Sequence, residues 1–391
     1  MAEQIIRKDF YLGDMEDPGE EFLADHFTIN MGPQHPSTHG VLRLELATDG
    51  EIVQQATPHI GYLHRNFEKH AENSNYQQVI PYCDRLDYVA SMSMDFGYVL
   101  TVEKLMGLEV NERVQKLRVL FAELQRLVSH MVAVCTFGND LGTFTPFMWY
   151  FRDREMALDL FEMTCGARLL YNYMWVGGLS HDIPDGFLDK VSRYLDYIDT
   201  HWFEYDRLMT KNHIFVKRVA NVGVLPASVA LEYGCTGPVL RGSGVDWDLR
   251  RDEPYSGYEN YDFDVILGSG QMGTTGDAWD RYWVRFEEMK QSERIIRQII
   301  KDGIPEGDVR ADVPRLVRPP KGEVYMRTEA PRGELAFYIV SDGSPQPFRV
   351  RARSGAYCNL SVIHEIARGA MIADLVAIFG SLDVVLGELD R

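Results

Sequence analysis

The sequence contains no CxxC pair. Its five cysteines stand at 83, 135, 165, 235 and 358, and the nearest two, Cys135 and Cys165, are 30 positions apart. This spacing excludes the clustered thiolates of zinc and iron–sulfur sites. It predicts buried, reduced thiols in a cytoplasmic protein, so that any redox centre belongs to another chain. Positive charge is also scarce: 40 Lys and Arg against 58 Asp and Glu give a formal net charge of -18. Such a surface repels phosphate backbones and anionic lipid, which argues against nucleic-acid partners and against electrostatic docking on a membrane. No run approaches the roughly 20 consecutive apolar residues of a membrane-spanning helix. The opening MAEQIIRKDFYLGDMEDPGEEF is acidic and matches neither a signal peptide nor an Arg-rich transit sequence, which predicts a chain that stays where it is made. Neither a repeat of fixed period nor a Ser- or Gly-rich linker divides the sequence, so one intertwined α+β unit over 1–391 is expected.

What is present is a chain of 391 residues, 45% hydrophobic, that can bury a sizeable core. Residues 1–75 read as an N-terminal β region. Leu42, Leu44 and Leu46 alternate with polar residues up to Asp49-Gly50, a two-residue hairpin turn, beyond which a second strand follows. Residues 76–310 read as a mainly helical core. A buried helix is expected from Cys83 to Met106, with Asp84 and Asp87 at its acidic start. A longer amphipathic helix carries Val114, Leu117, Phe121, Leu124, Val128, Met131 and Cys135 at three- and four-residue spacing. Further helices are expected over 153–175, 187–209 and 277–302, the last capped by Asp277 and stopped by Gly303. The Gly-, Asp- and Tyr-rich stretch 232–276 reads as a long functional or interfacial loop. Residues 311–391 read as a C-terminal β/α segment, with strands around Pro-Arg-Gly and Asp-Gly turns from Gly322 and renewed alternation in SLDVVLGELDR.

Three segments carry candidate chemistry. In MGPQHPSTHG, His35 and His39 have the four-residue spacing of two metal ligands on a helix, yet Pro36 and the flanking Gly32 and Gly40 predict a rigid non-helical loop. Turn residues bonded to backbone, metal ligands and proton-exchanging groups are the alternatives; for a metal, no third ligand lies close in sequence. In PYCDRLDY, Tyr88 is either a satisfied capping-region tyrosine or a hydroxyl donor to a buried carbonyl. In FGNDLG, Asp140 is either a turn former or a carboxylate that fixes the tautomer of a facing histidine and raises the ring's proton affinity.

Taken together, MGPQHPSTHGVLRLEL, GYLHRNFEKH, PYCDRLDYV, LGTFTPF, EAPRGELAFYIVSDGS and GSLDVVLGELDR resemble, over nearly the whole chain, the D-type, quinone-site family of proton-pumping NADH:quinone oxidoreductase, respiratory complex I. The resemblance implies a fold similar to the large subunit of nickel-iron hydrogenases, without that enzyme's two CxxC metal-binding pairs and hence without a metal. It implies a peripheral-arm subunit on the cytoplasmic side of the bacterial inner membrane. Its quinone site, for ubiquinone or menaquinone, would face a 4Fe-4S cluster held by the neighbouring B-type subunit. The C-, H- and I-type subunits would be further partners, and NADH would be oxidised at a distant subunit. On the matching positions, His39 and Tyr88 would bond the quinone head and Asp140 would pair with His39. His35 would shape the same cavity, Asp383 and Val385 would belong to the quinone-binding set, and Arg65 would lie close to the cluster. In GARLLYNYM, Leu170 stands where many members carry a histidine linked to cluster protonation, which implies a cluster potential less dependent on pH. Two readings compete with a catalytic one: a non-catalytic scaffold docking iron–sulfur and membrane subunits, and a true hydrogenase subunit, which the missing cysteines disfavour.

Overall fold

A computed structural model describes residues 26–391, so the acidic N-terminal stretch read above lies outside the described residues. The expected hairpin is present as β2 (Arg43–Asp49) and β3 (Ile52–His59), with Leu42, Leu44 and Leu46 buried beneath it. A further strand, β1 (His26–Met31), pairs antiparallel with β2, in the order β1-β2-β3. Its apolar residues Phe27, Ile29 and Met31 alternate with Thr28 and Asn30, yet Phe27 and Ile29 are exposed and only Met31 of the three is buried. The sheet is tied to the other end of the chain, where Val53 N–H donates to Ala370 O at 2.8 Å and Gly369 N–H to Val53 O at 2.7 Å.

The helical core holds α1 (Ser91–Met106), α2 (Glu112–Asp140), α3 (Phe144–Cys165), α4 (Phe187–Tyr205) and α5 (Ala278–Asp302). At 29 residues α2 is roughly 44 Å long. Asn111 caps it by accepting from Val114 N–H at 2.9 Å. The apolar stripe expected from the spacing is buried, and so is the opposite face, where Arg118, Glu123, Arg126 and His130 find partners. Among the described residues α2 is the one helix long and apolar enough to cross a membrane, yet 89% of its apolar window is covered by the rest of the protein, which makes it the central core helix. Asp277 caps α5 through Asp280 N–H, and Gly303, at φ 76°, ends it.

Four expectations are corrected. The helix expected from Cys83 begins at Ser91, because Asp84 and Asp87 bond elsewhere: Asp84 accepts from Asn172 N–H at 2.8 Å and Asp87 from Val89 N–H at 3.1 Å. The helix expected over 153–175 ends instead at Cys165, where Gly166 takes up φ 74° and caps Glu162 O, and left-handed Leu170 and Asn172 lead into a two-residue hairpin at Met174–Trp175. The C-terminal alternation is not a strand. The segment forms α6 (Ile372–Leu382), a break at 383–385 with Asp383 left-handed, and α7 (Leu386–Asp390), and its residues 377–390 are all buried, so burial on every side mimics a strand's pattern. Cys165 and Cys358 are half-buried, whereas Cys83, Cys135 and Cys235 are buried.

The stretch 232–276 is irregular apart from short turns at Gly237–Gly242, Leu249–Asp252 and Tyr258–Asn260. Beyond it, β4 (Gly322–Ala330), β5 (Gly333–Ser341) and β6 (Arg349–Arg353) form an antiparallel sheet. Pro331-Arg332 makes the tight turn between β4 and β5.

Candidate functional site

The histidine loop joins β1 to β2. Its first glycine is required: at φ 91°, a Cβ on Gly32 would sit 1.9 Å from Leu42 O. Pro36 opens a single 3-10 turn, Pro36–Thr38, so the loop contains one tight turn and no α-helix. Thr38, wholly buried, shares its hydroxyl proton between His35 O (2.8 Å) and Gly40 O (3.0 Å). His39 then adopts a left-handed φ of 52°. These constraints send its ring to the C-terminal end of α2, where His39 Nε2 lies 2.5 Å from Asp140 Oδ2. The imidazole is 17% exposed and the carboxylate 7%, and the ring meets Phe379 edge-on at 5.8 Å between centroids. Asp140 is the last residue of α2 rather than a loop residue.

His35 does not join this pair. It is exposed, and its Nδ1 accepts from Ser37 N–H at 3.2 Å within its own loop. Tyr88 stands in the turn before α1, half-buried, and among the described residues its hydroxyl has no hydrogen-bond partner. Burial, with the Asp87 carboxylate adding, pushes its pKa upward, which keeps the hydroxyl protonated as a donor. Arg65 is exposed and donates through Nη2 to Arg85 O.

The C-terminal break between α6 and α7 brings these parts round one segment. A Cβ on Gly380 would lie 3.4 Å from Asp140 Oδ2, one on Gly40 would lie 2.6 Å from Leu386, and one on Gly387 would lie 2.6 Å from Leu86 O and 3.1 Å from Arg65 Nη2. Asp383, at the break, is buried and accepts from Arg332 Nη2 at 3.2 Å, while Arg332 Nη1 donates to Asp87 Oδ2 at 2.6 Å. Val385 is buried where α7 begins. Arg332 is a residue that sequence reasoning missed. Nothing in EAPRGEL signals it, since an arginine in a two-residue hairpin turn is usually solvated.

Among the described residues, no three His, Cys, Asp or Glu side chains converge as a metal-ligand group. The larger cavities are also elsewhere: one of about 490 Å³ lies between Gln54–Pro58 and His364–Arg368, one of about 460 Å³ lies beside Leu100, Leu108 and Met326, and one of about 410 Å³ lies along α4 and α5. His39, Tyr88 and Asp140 line none of these three.

A family model described as the respiratory-chain NADH dehydrogenase 49 kDa subunit matches residues 140–319 and 313–391. Curated relatives named as the D subunit of NADH-quinone oxidoreductase include one from Chlorobium chlorochromatii, 52% identical over 95% of this chain and 94% of its own length. Another, from Chlorobaculum tepidum, is 50% identical over 99% of this chain and 97% of its own. A relative from Anaeromyxobacter sp., whose name gives it as the first of its D subunits, is 51% identical over 94% and 97%.

Proposed function

From the premise that this chain belongs to the family of 49 kDa subunits of respiratory-chain NADH dehydrogenase, we propose that it forms the quinone-reducing site of the complex. The observation that carries this reading is the His39–Asp140 pair at 2.5 Å, held at the edge of the same C-terminal segment that is flanked by the Tyr88 turn. Reducing a quinone adds two electrons and two protons, and a dianion would build up unless donors stood at both carbonyl oxygens. In this reading the Tyr88 hydroxyl, protonated and without a partner among the described residues, donates to one oxygen and His39 to the other. Asp140 fixes the orientation and tautomer of the ring. Asp383 and Val385 border the quinone, and His35 contributes through the shape of its loop.

In this reading partner chains complete the chamber: a B-type partner that holds the terminal 4Fe-4S cluster near Arg65, with the C-, H- and I-type subunits around it. Quinone reaches the site through the lipid-facing partners, which places the chain peripherally on the cytoplasmic side of the membrane. Electrons originate from NADH at a distant subunit, and their transfer is coupled to proton translocation. Leu170 in place of a histidine leaves cluster reduction less tied to proton uptake. We extend the reading to the fold: one intertwined domain over 1–391, similar to the nickel-iron hydrogenase large subunit, with the N-terminal sheet bonded to 369–372 in its support.

Tyr88→Phe removes one hydroxyl and little volume. It is expected to lower quinone reductase activity of the assembled complex while NADH oxidation by an artificial acceptor stays intact. Unchanged turnover with native quinone removes Tyr88 from the site. A scaffold that only docks other subunits would assemble and turn over normally without the side chains of His39 and Tyr88.

A further inference from the structure

Ten residues back along α2 from Asp140 stands a second histidine–carboxylate pair, fully enclosed. His130 Nε2 lies 2.9 Å from Glu288 Oε2 on α5. The other Glu288 oxygen accepts from Arg241 Nε at 2.8 Å, and Arg241 Nη1 donates to Glu329 at 2.8 Å. One turn before Glu288, Arg285 donates to Ser381 O at 2.7 Å and Leu382 O at 3.2 Å, and its Nε lies 3.7 Å from Asp383 Oδ2. Asp383 holds Arg332, and Arg332 holds Asp87, the neighbour of Tyr88. Buried charges therefore run stepwise from Arg241, in the 232–276 stretch, to the candidate quinone site.

An array that only stabilised the core would close its hydrogen bonds. Along this one, four buried atoms have no partner among the described residues: Arg241 Nη2, His130 Nδ1, Arg285 Nε and Asp383 Oδ2. Leaving a buried polar atom unpaired is costly, and ordered water is its usual partner. The arginines along the array cannot release protons. Glu288 is held ionised by Arg241 and His130, well below the usual carboxylate range despite its burial. Of the His130–Glu288 pair, His130 is therefore the member able to exchange a proton. It is faced by Glu288 and Arg285 from α5 and by Arg126 from its own helix, with Arg241 behind Glu288. Burial lowers its pKa, the two arginines add to that and Glu288 opposes it, so the resting ring is neutral. With its Nε2 proton on Glu288, its bare Nδ1 is an acceptor.

We propose that His130 is the proton-exchanging member of a hydrated, buried array that carries protons from the 232–276 side of the molecule to Asp383 and so to quinone reduction. The proposal rests on the reading of the site given above. A proton taken from water onto Nδ1 makes an imidazolium held by Glu288. Loss of a proton to the next water, toward Arg285 and Asp383, restores the neutral ring. Nothing is oxidised or reduced, and one proton has advanced.

The test is His130→Gln in the assembled complex, since glutamine keeps a donor for Glu288 but cannot titrate. Quinone reductase activity is expected to fall about tenfold or more. The deficit should be largest at low pH and shrink as pH rises, because protonating the wild-type ring, whose pKa is lowered by burial, becomes harder, and the solvent deuterium isotope effect should exceed that of the wild type. Wild-type rate, pH profile and isotope effect together overturn the proposal. Should the variant not assemble, the wild-type complex decides: an experimental structure that resolves water should show it on His130 Nδ1 and between Arg285 Nε and Asp383 Oδ2, and a dry Nδ1 overturns the proposal. A silent Tyr88→Phe beside an impaired His130→Gln would strike the site assignment and leave the array standing.

Discussion

The two histidine–carboxylate pairs on α2 differ in what surrounds them more than in what they are. At the end of the helix, Asp140 has His39 as its only ion-pair partner among the described residues, and the ring is supplied by a loop. In the middle, Glu288 is shared by His130 and Arg241, and Arg241 also engages Glu329 and lies 3.5 Å from Asp248. The outer carboxylate answers to one partner, so a change there reaches only His39. The inner carboxylate answers to His130 and to Arg241, which in turn serves Glu329, so removing the guanidinium strands two buried carboxylates. A buried charge shared among several counterions is bound into the fold, whereas a pair with one contact remains free to respond to a ligand.

Breaking the inner region should have the largest effect. Arg241→Met keeps much of the side-chain volume but leaves Glu288 and Glu329 without their guanidinium, and uncompensated buried charge costs about 3–5 kcal/mol. The expected outcome is loss of this subunit from the purified complex or a much lower thermal midpoint. Wild-type stability would abolish the contrast.

The outer region should show the opposite signature. Asp140→Asn keeps shape and removes charge, so stability should change by less than about 1 kcal/mol while quinone reductase activity drops on the order of a hundredfold. Assembly and iron–sulfur signals should persist. A variant with the wild-type rate would show that the outer pair has no part in the chemistry.

A third carboxylate sharpens the comparison, because it is buried with no arginine bonded to it among the described residues. Burial raises the pKa of Asp84 to about 6, against the pull of a hydrogen bond with Asp95, Asn172 N–H and the nearby Arg85. The folded state thus holds this proton more tightly than the unfolded chain, whose carboxyl titrates near the ordinary 3.8. Stability from this group is present below about pH 4 and is lost as pH rises to about 6. Asp84→Asn, which can still accept from Asn172 N–H, should abolish that loss. At pH 7 the variant complex should gain on the order of 1–3 kcal/mol relative to the wild type, and at pH 4 almost nothing. Thermal midpoints at the two pH values check it, and an equal difference at both would refute the shift.

Much of this architecture was legible, and the misses share a cause. Spacing and a capping residue located α2, α5 and the β2–β3 hairpin, because the Val114–Cys135 stripe, Asp277 and Leu42-Leu44-Leu46 act through neighbours in sequence. The start of α1 was misplaced because Asp84 and Asp87 spend their carboxylates on Asn172 and Arg332, which are remote in sequence. The strand-like reading of SLDVVLGELDR failed because a segment enclosed on every side carries apolar residues without helical periodicity. At the candidate site, the resemblance supplied His39, Tyr88 and Asp140, and the 2.5 Å contact accords with the first and third. Arg332 and the His130 array were invisible, since nothing in a linear sequence distinguishes a buried arginine from a solvated one.

The smallest effect should come from the histidine nearest in sequence to the outer pair. His35 and His39 are four residues apart, but the 3-10 turn at Pro36–Thr38 separates their surroundings. His35 is exposed, and its one side-chain bond accepts Ser37 N–H at 3.2 Å, a donor that water can satisfy equally well. The loop keeps its form without that ring, because the Thr38 hydroxyl still bonds both His35 O and Gly40 O, and neither bond involves the imidazole. His35→Ala should therefore cost less than about 1 kcal/mol, the scale of a lost exposed cap. Quinone reductase activity should stay within about twofold of the wild type, with any change in KM rather than kcat, since a slightly looser loop affects how often His39 is aligned and not what it does. His39→Ala should lose far more. Equal losses in the two variants would mean that loop geometry, and not the His39–Asp140 contact, sets the rate, and the outer pair would then have no claim to the chemistry.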